Sequence, residues 1–186
     1  MLEFLVHKFI KDADAIDQPE VRKRYGFFSS IVGIICNIIL FAGKLAIGLI
    51  AGSIAIVSDG VNNLSDCATC IVTMFGYKMA AKPADRDHPF GHGRMEYLTS
   101  LIIAAAILAV GFELLRSSFQ KVLHPERVTF SFVALFVLVF SILMKVGMGF
   151  MNRKLGIKLS SSIMLATSKD SFSDVFATLA TVIALV

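Results

Sequence analysis

FFSSIVGIICNIILFAGKLAIGLIA, residues 27–51, runs for 25 residues with one charge, Lys44. At about 1.5 Å of rise per residue, such a stretch wound as a helix crosses the roughly 30 Å hydrocarbon core of a bilayer. Four further apolar segments follow, at about 54–81, 95–122, 128–152 and 160–186. Lipid offers no partner to a backbone amide, so each spanning segment must close its hydrogen bonds within itself, as a helix. The sequence therefore predicts an all-α membrane protein, a polytopic transmembrane helical bundle with five spans. Composition agrees. Hydrophobic residues make up 56% of the 186 and charged residues 17%, against about 45–50% and 25% in ordinary soluble domains. The predicted partner is the lipid bilayer. A net charge of +4 comes without a basic stripe interleaved with aromatics, so nucleic acid is not expected.

The connections set the orientation. Ala51-Gly52-Ser53 reads as a tight turn, residues 82–94 (KPADRDHPFGHGR) as a polar loop, and Leu123–Arg127 and Asn152–Lys158 as the remaining links. Twelve of the eighteen Lys and Arg residues fall before residue 27, around the 82–94 loop or in the last link. The positive-inside rule then places the amino terminus and that loop in the cytoplasm; the expected location of the bundle is the plasma (inner) membrane. Residues 1–26 form a cytoplasmic amino-terminal segment without the features of a cleaved signal. Its first ten residues (MLEFLVHKFI) suit an amphipathic helix on the bilayer surface. Residues 27–186 form the transmembrane domain. The run ending Thr181-Val-Ile-Ala-Leu-Val186 stops inside apolar sequence, which suggests at least one further helix beyond it.

Ionisable residues inside a membrane cost about 2.5–3.5 kcal/mol each on insertion scales, so each needs a partner or a task. The second span holds Asp59, Asn62 and Asp66 on one helical face, and the fifth holds Asp170 and Asp174 one turn apart. Two helices thus each offer an i, i+4 pair of oxygen donors, Asn62 with Asp66 and Asp170 with Asp174. Facing each other, they would surround a cation with three carboxylates and an amide oxygen. A divalent metal and protons would both relieve the repulsion among the carboxylates and would compete for them, as metal/proton exchange requires. The alternative is that these aspartates form structural salt bridges with Lys44, Lys145 or Lys169. Lys44 and Lys145 are otherwise read as side chains that snorkel to the interface.

A second cluster lies in the polar loop, where Asp85, His88 and His92, with Asp87 and Glu96 nearby, combine imidazole and carboxylate donors. It fits a transition-metal site, or a solvated loop shaped by its prolines and glycines. Cys67-Ala-Thr-Cys70 has redox spacing but sits inside a span, where small-residue packing explains it better. Gly43, Gly48, Gly147 and Gly149 are expected to permit close helix approach.

Three motifs now stand in order: GSIAIVSDGVNNLSD (residues 52–66), DRDHPFGHGRME (85–96) and ATSKDSFSD (166–174). Together they resemble the cation diffusion facilitator family. The resemblance implies a six-helix membrane domain, usually followed by a cytoplasmic metal-binding domain, acting as a homodimer that exports a divalent metal against inward proton flow. By that pattern five of six expected helices are present. The resemblance assigns the transport site to Asn62, Asp66, Asp170 and Asp174, and a loop site to Asp85, His88 and His92. Asp59, one turn ahead of Asn62, is left as an outer support for the ligands or a proton relay. No prosthetic group is expected.

Ligand chemistry orders the candidate cargo. Carboxylates and an amide suit Mn²⁺, whereas imidazole would favour Zn²⁺. Members of the family that carry manganese resemble this chain in pairing Asn on the second helix with Asp on the fifth. Mn²⁺ ranks first, with Zn²⁺ or Fe²⁺ behind it. A membrane metalloenzyme is disfavoured, since neither HExxH nor GxSxG occurs. A non-transporting metal sensor shares the same ligands and stays open.

Overall fold

The computed structural model describes residues 6, 9, 10, 13–50, 54–123 and 132–185. They form five helices and, among the described residues, no strand: α1 (Pro19–Ile50), α2 (Ile54–Ala80), α3 (Met95–Leu123), α4 (Phe132–Lys158) and α5 (Ser162–Leu185). α1 packs along α2 and α4 along α5; α1 also meets α4, while α3 leans on α2 and α5. The expected turn at 51–53 and most of the link at 123–127 lie outside the described residues. Stretches of α1, α3 and α4 are long and apolar enough to cross a membrane. The other two helices carry the amide and carboxylate pairs. The all-α membrane bundle predicted from the sequence is the fold observed.

Two helix boundaries differ from expectation. α1 begins at Pro19, not near 27, because the carbonyl of Gln18 accepts the Val21 and Arg22 N–H groups at 3.0 and 3.1 Å. Proline at the first helical position forfeits only an N–H that has no partner there anyway. α4 likewise runs to Lys158, through residues expected to form a link. Arg153, Lys154 and Lys158 are charged but share the exposed face, while Asn152, Leu155 and Gly156 turn inward. The helix ends just before Ser160, whose φ of 49° is left-handed. Ser160 N–H bonds to the Ile157 carbonyl (3.2 Å) and Ser161 N–H to the Gly156 carbonyl (2.9 Å). This pair of bonds is the C-terminal closure usually built around glycine.

The buried core gathers at the end of the bundle that carries the 82–94 loop. Tyr25, Tyr77, Ile103, Leu155, Leu159, Ile163 and Met164 are all nearly inaccessible there. Polar staples hold the same end. Arg22 donates to both oxygens of Glu96 (3.0 and 2.9 Å) and to the Leu159 carbonyl (2.5 Å). Tyr25 donates to the Ala13 carbonyl at 2.8 Å and receives Lys158 at 3.1 Å. The Tyr77 and Ser161 hydroxyls also pair. Val6 and Ile10 are buried in this core and Phe9 stacks on Phe28. The described part of the amino-terminal stretch thus packs on the bundle.

Elsewhere the bundle is apolar outside, as a lipid-facing helix array should be: Ile35, Leu49, Leu108, Phe112, Phe136 and Phe176 are exposed. Two of the four glycines expected at close approaches are found there. A Cβ at Gly48 would sit 2.6 Å from Val57 Cγ2, and one at Gly149 would sit 3.0 Å from the Phe172 ring. Gly43 and Gly147 face open space. The cysteines pack as small residues: Cys70 Sγ would lie 2.6 Å from a Cβ at Gly33, and Cys67 donates to the Asn63 carbonyl at 3.5 Å.

Candidate metal site

Asp66 on α2 and Asp170 and Asp174 on α5 converge between the two helices. One carboxylate oxygen from each lies within 4.8 Å of the other two. Asp66 is buried; the α5 pair is partly so. Asn62 joins them, its amide N–H directed at Asp174 Oδ1 over a long 3.4 Å, which leaves the amide oxygen as its donor to a cation. The i, i+4 spacing brings each pair to one face, and the α2–α5 juxtaposition brings the faces together. A cavity of about 220 Å³ lies beside them, with Ser65, Asp66, Asp170 and Asp174 on one wall and Ile103 and Ile107 of α3 opposite. At an effective dielectric constant of 20, two charges this far apart repel by about 3–4 kcal/mol. The cluster calls for positive charge.

Part of that charge comes from the protein. Lys145 of α4 places its ammonium 2.6 Å from Asp66 Oδ2 and 2.6 Å from Asp174 Oδ2. Lys44 of α1 pairs with Asp59 Oδ2 at 2.8 Å. Neither lysine snorkels; they are 3% and 1% exposed, so that expectation is corrected. A four-carbon stem reaches the interface only from a lipid-facing position, and both helices turn these residues inward. The salt-bridge alternative thus holds for two of its three lysines, Lys169 being exposed. It does not account for Asp170. Among the described residues no ion pair reaches Asp170, whose carboxylate lines the cavity. Asp59 is drawn to Lys44 and stands outside the three-carboxylate group.

The loop cluster is assembled by its turn. Pro89 fixes one position of the turn, and Gly91, at φ 78°, adopts a conformation that glycine enters without steric cost. Donor atoms of Asp85, His88 and His92 lie within 4.8 Å of one another. Asp85 Oδ1 receives the His88 backbone N–H at 2.7 Å and lies 3.1 Å from His88 Nδ1; Oδ2 is 3.6 Å from His92 Nε2. The His88 backbone N–H, above all, holds the Asp85 carboxyl below its usual range. His92 is the buried member. Its Nδ1–H donates to the Pro83 carbonyl at 3.2 Å, so Nε2 is the nitrogen that faces the cluster. Metal-binding histidines are commonly oriented in this way. Glu96, a neighbour in sequence, is taken away by Arg22.

The comparisons with known proteins agree with these motifs. The description "Cation efflux transmembrane domain" matches residues 30–186. The manganese efflux system protein MneS of Bacillus subtilis is 30% identical over 161 residues, covering 87% of this chain and 56% of that protein. An uncharacterized transporter of Methanocaldococcus jannaschii is 32% identical over 155 residues, covering 83% and 55%. The magnetosome protein MamM of Magnetospirillum gryphiswaldense is 28% identical over 144 residues, covering 77% and 45%. The chain spans about half the length of the curated relatives it matches. With five helices in the expected order and the family match over most of its length, this chain belongs to the cation efflux family, the cation diffusion facilitators that its motifs resemble.

Proposed function

We propose that the protein carries a divalent metal out of the cytoplasm in exchange for protons, binding it at Asn62, Asp66, Asp170 and Asp174. Asp170 carries the argument. Three carboxylates meet one ammonium, and the carboxylate without a salt bridge faces a cavity large enough for a hydrated ion. That leaves a net negative, oxygen-only site. Transport, not catalysis, is the activity that the family description names. Mn²⁺ is the first cargo, with Zn²⁺ or Fe²⁺ behind it. The oxygen donor set supports this order, as do the Bacillus subtilis relatives named for manganese efflux. Asp59 serves as an outer support, tying α2 to α1 through Lys44. The protein works as a homodimer in the plasma (inner) membrane with its amino terminus in the cytoplasm.

The direct test is metal uptake into proteoliposomes holding the full-length protein, under an imposed pH gradient. Proton-dependent Mn²⁺ flux above Zn²⁺ flux is expected. Zinc preference would keep transport and remove the cargo order. Binding of both ions with no flux of either would make the protein a metal sensor.

The loop site is proposed to receive metal at Asp85, His88 and His92 before it enters the bundle. His92→Ala is expected to weaken binding to the loop at least about tenfold, since even residues that only orient a ligand contribute 10–100-fold. Calorimetric titration with Zn²⁺ in an Asp170→Asn background, which cripples the transport site without breaking an ion pair, reads the loop; unchanged affinity would remove His92 from the set. Acid should weaken metal binding at this site, because metal ligands bind only when deprotonated. Asp85, with its carboxyl held below the usual range by the His88 backbone N–H, keeps its charge to lower pH than an ordinary aspartate.

A further inference from the structure

We infer that Lys145 is a tethered cation that fills the transport site when no metal is there, and that the metal must displace it. The inference rests on the proposed site and adds a residue to it. Lys145 comes from α4, which supplies none of the four proposed ligands. Yet its ammonium stands 2.6 Å from one oxygen of Asp66 and 2.6 Å from one of Asp174, bridging α2 to α5. Divalent metals bind carboxylate oxygens at about 2.0–2.6 Å. The ammonium therefore takes the same oxygens at nearly a metal's distance, and both cations cannot hold them together.

The surroundings fit displacement. The cavity lies between the carboxylates and α3, and its lining includes Asp66, Asp170 and Asp174 but not Lys145. A metal arriving there finds Asp170 without an ammonium to displace, and draws Asp66 and Asp174 away from the lysine. Ser141, one turn earlier on α4, is buried with a hydroxyl that has no partner among the described residues, and lysine side chains on a helix lean toward the preceding turn. It offers the displaced ammonium an acceptor. Lys145 thereby lowers the charge of the empty site and sets how tightly metal binds. Without it, the metal-free carrier would carry three uncompensated carboxylates inside the bilayer, and bound metal would leave slowly.

The test is Mn²⁺ titration of the full-length protein in nanodiscs, with His88→Ala and His92→Ala present so that the transport site is read alone. Lys145→Met and Lys145→Gln, two neutral side chains of similar reach, should each tighten Mn²⁺ at least about tenfold, within the range of ordinary coupling between sites. Lys145→Arg keeps the charge and grips two carboxylates through a planar fork, so it should weaken Mn²⁺. In proteoliposomes the neutral variants should lower KM and maximal flux together, which a purely structural role would not do. Either folded neutral variant binding Mn²⁺ no tighter than the parent, or the arginine variant binding it tighter, overturns the inference. Asp170→Asn separates the two levels. If it binds Mn²⁺ like the parent, the proposed site fails; if it loses binding while the neutral lysine variants change nothing, only the lysine inference fails.

Discussion

Asp170→Asn should cut Mn²⁺ flux by about 100-fold or more while leaving a folded, correctly inserted protein. The size follows from what weaker changes do: altering a group that merely orients a ligand already costs 10–100-fold in affinity, and Asp170 is proposed as a ligand itself. The folding half follows from its environment. Among the described residues Asp170 takes part in no ion pair, and asparagine nearly matches its shape. Asp66→Asn is a poorer probe. It would strip Lys145 of one of its two carboxylates, and breaking a buried pair costs about 3–5 kcal/mol, so lost flux could reflect lost fold. The measurement is initial Mn²⁺ uptake into proteoliposomes, with size-exclusion profile and thermal stability of the same preparation. Flux within a few fold of the parent would remove Asp170 from the site.

Asn62→His should raise the Zn²⁺-to-Mn²⁺ flux ratio by about tenfold or more, since it replaces an amide oxygen with an imidazole nitrogen that late transition metals prefer. Asn62 already lies beside Asp174, at 3.4 Å, on a partly buried face. An imidazole there can keep a donor toward Asp174 and present its other nitrogen to the metal. Its effect is on preference more than on total transport, because the three carboxylates remain. Competition between the two ions in one vesicle preparation reads the ratio directly. An unchanged ratio would show that Asn62 does not set selectivity.

What the sequence disclosed was what is local. Five apolar lengths gave five helices, and four-residue spacing placed Asn62 with Asp66 and Asp170 with Asp174, because helical periodicity acts within a few residues. The grouping of Asp85, His88 and His92 is local in the same sense. What escaped depends on how one helix is rotated against another. Lys145 could be named as one of three lysines able to pair with the aspartates, but nothing near it in sequence indicates that α4 turns it toward α2 and α5. Arg22 is a similar case: it counted as one more positive charge outside the membrane, whereas it holds Glu96 and the Leu159 carbonyl together. The charges at 153–158 misled for the opposite reason. They suggested a link, but a helix continues past charge when one face of it remains buried.

The ion pairs also impose an order on synthesis. Lys44 and Asp59 belong to neighbouring helices, so α1 and α2 can enter the bilayer as a hairpin with that charge already matched. Asp66 has no such neighbour. Its lysine lies 79 residues further along the chain. Until α4 emerges from the ribosome, α2 must wait at the translocon, or shelter Asp66 as a neutral acid or in water, since a bare carboxylate in lipid is costly. The second helix is thus fully accommodated only when the fourth arrives, and the three-carboxylate cluster closes after most of these residues have been made.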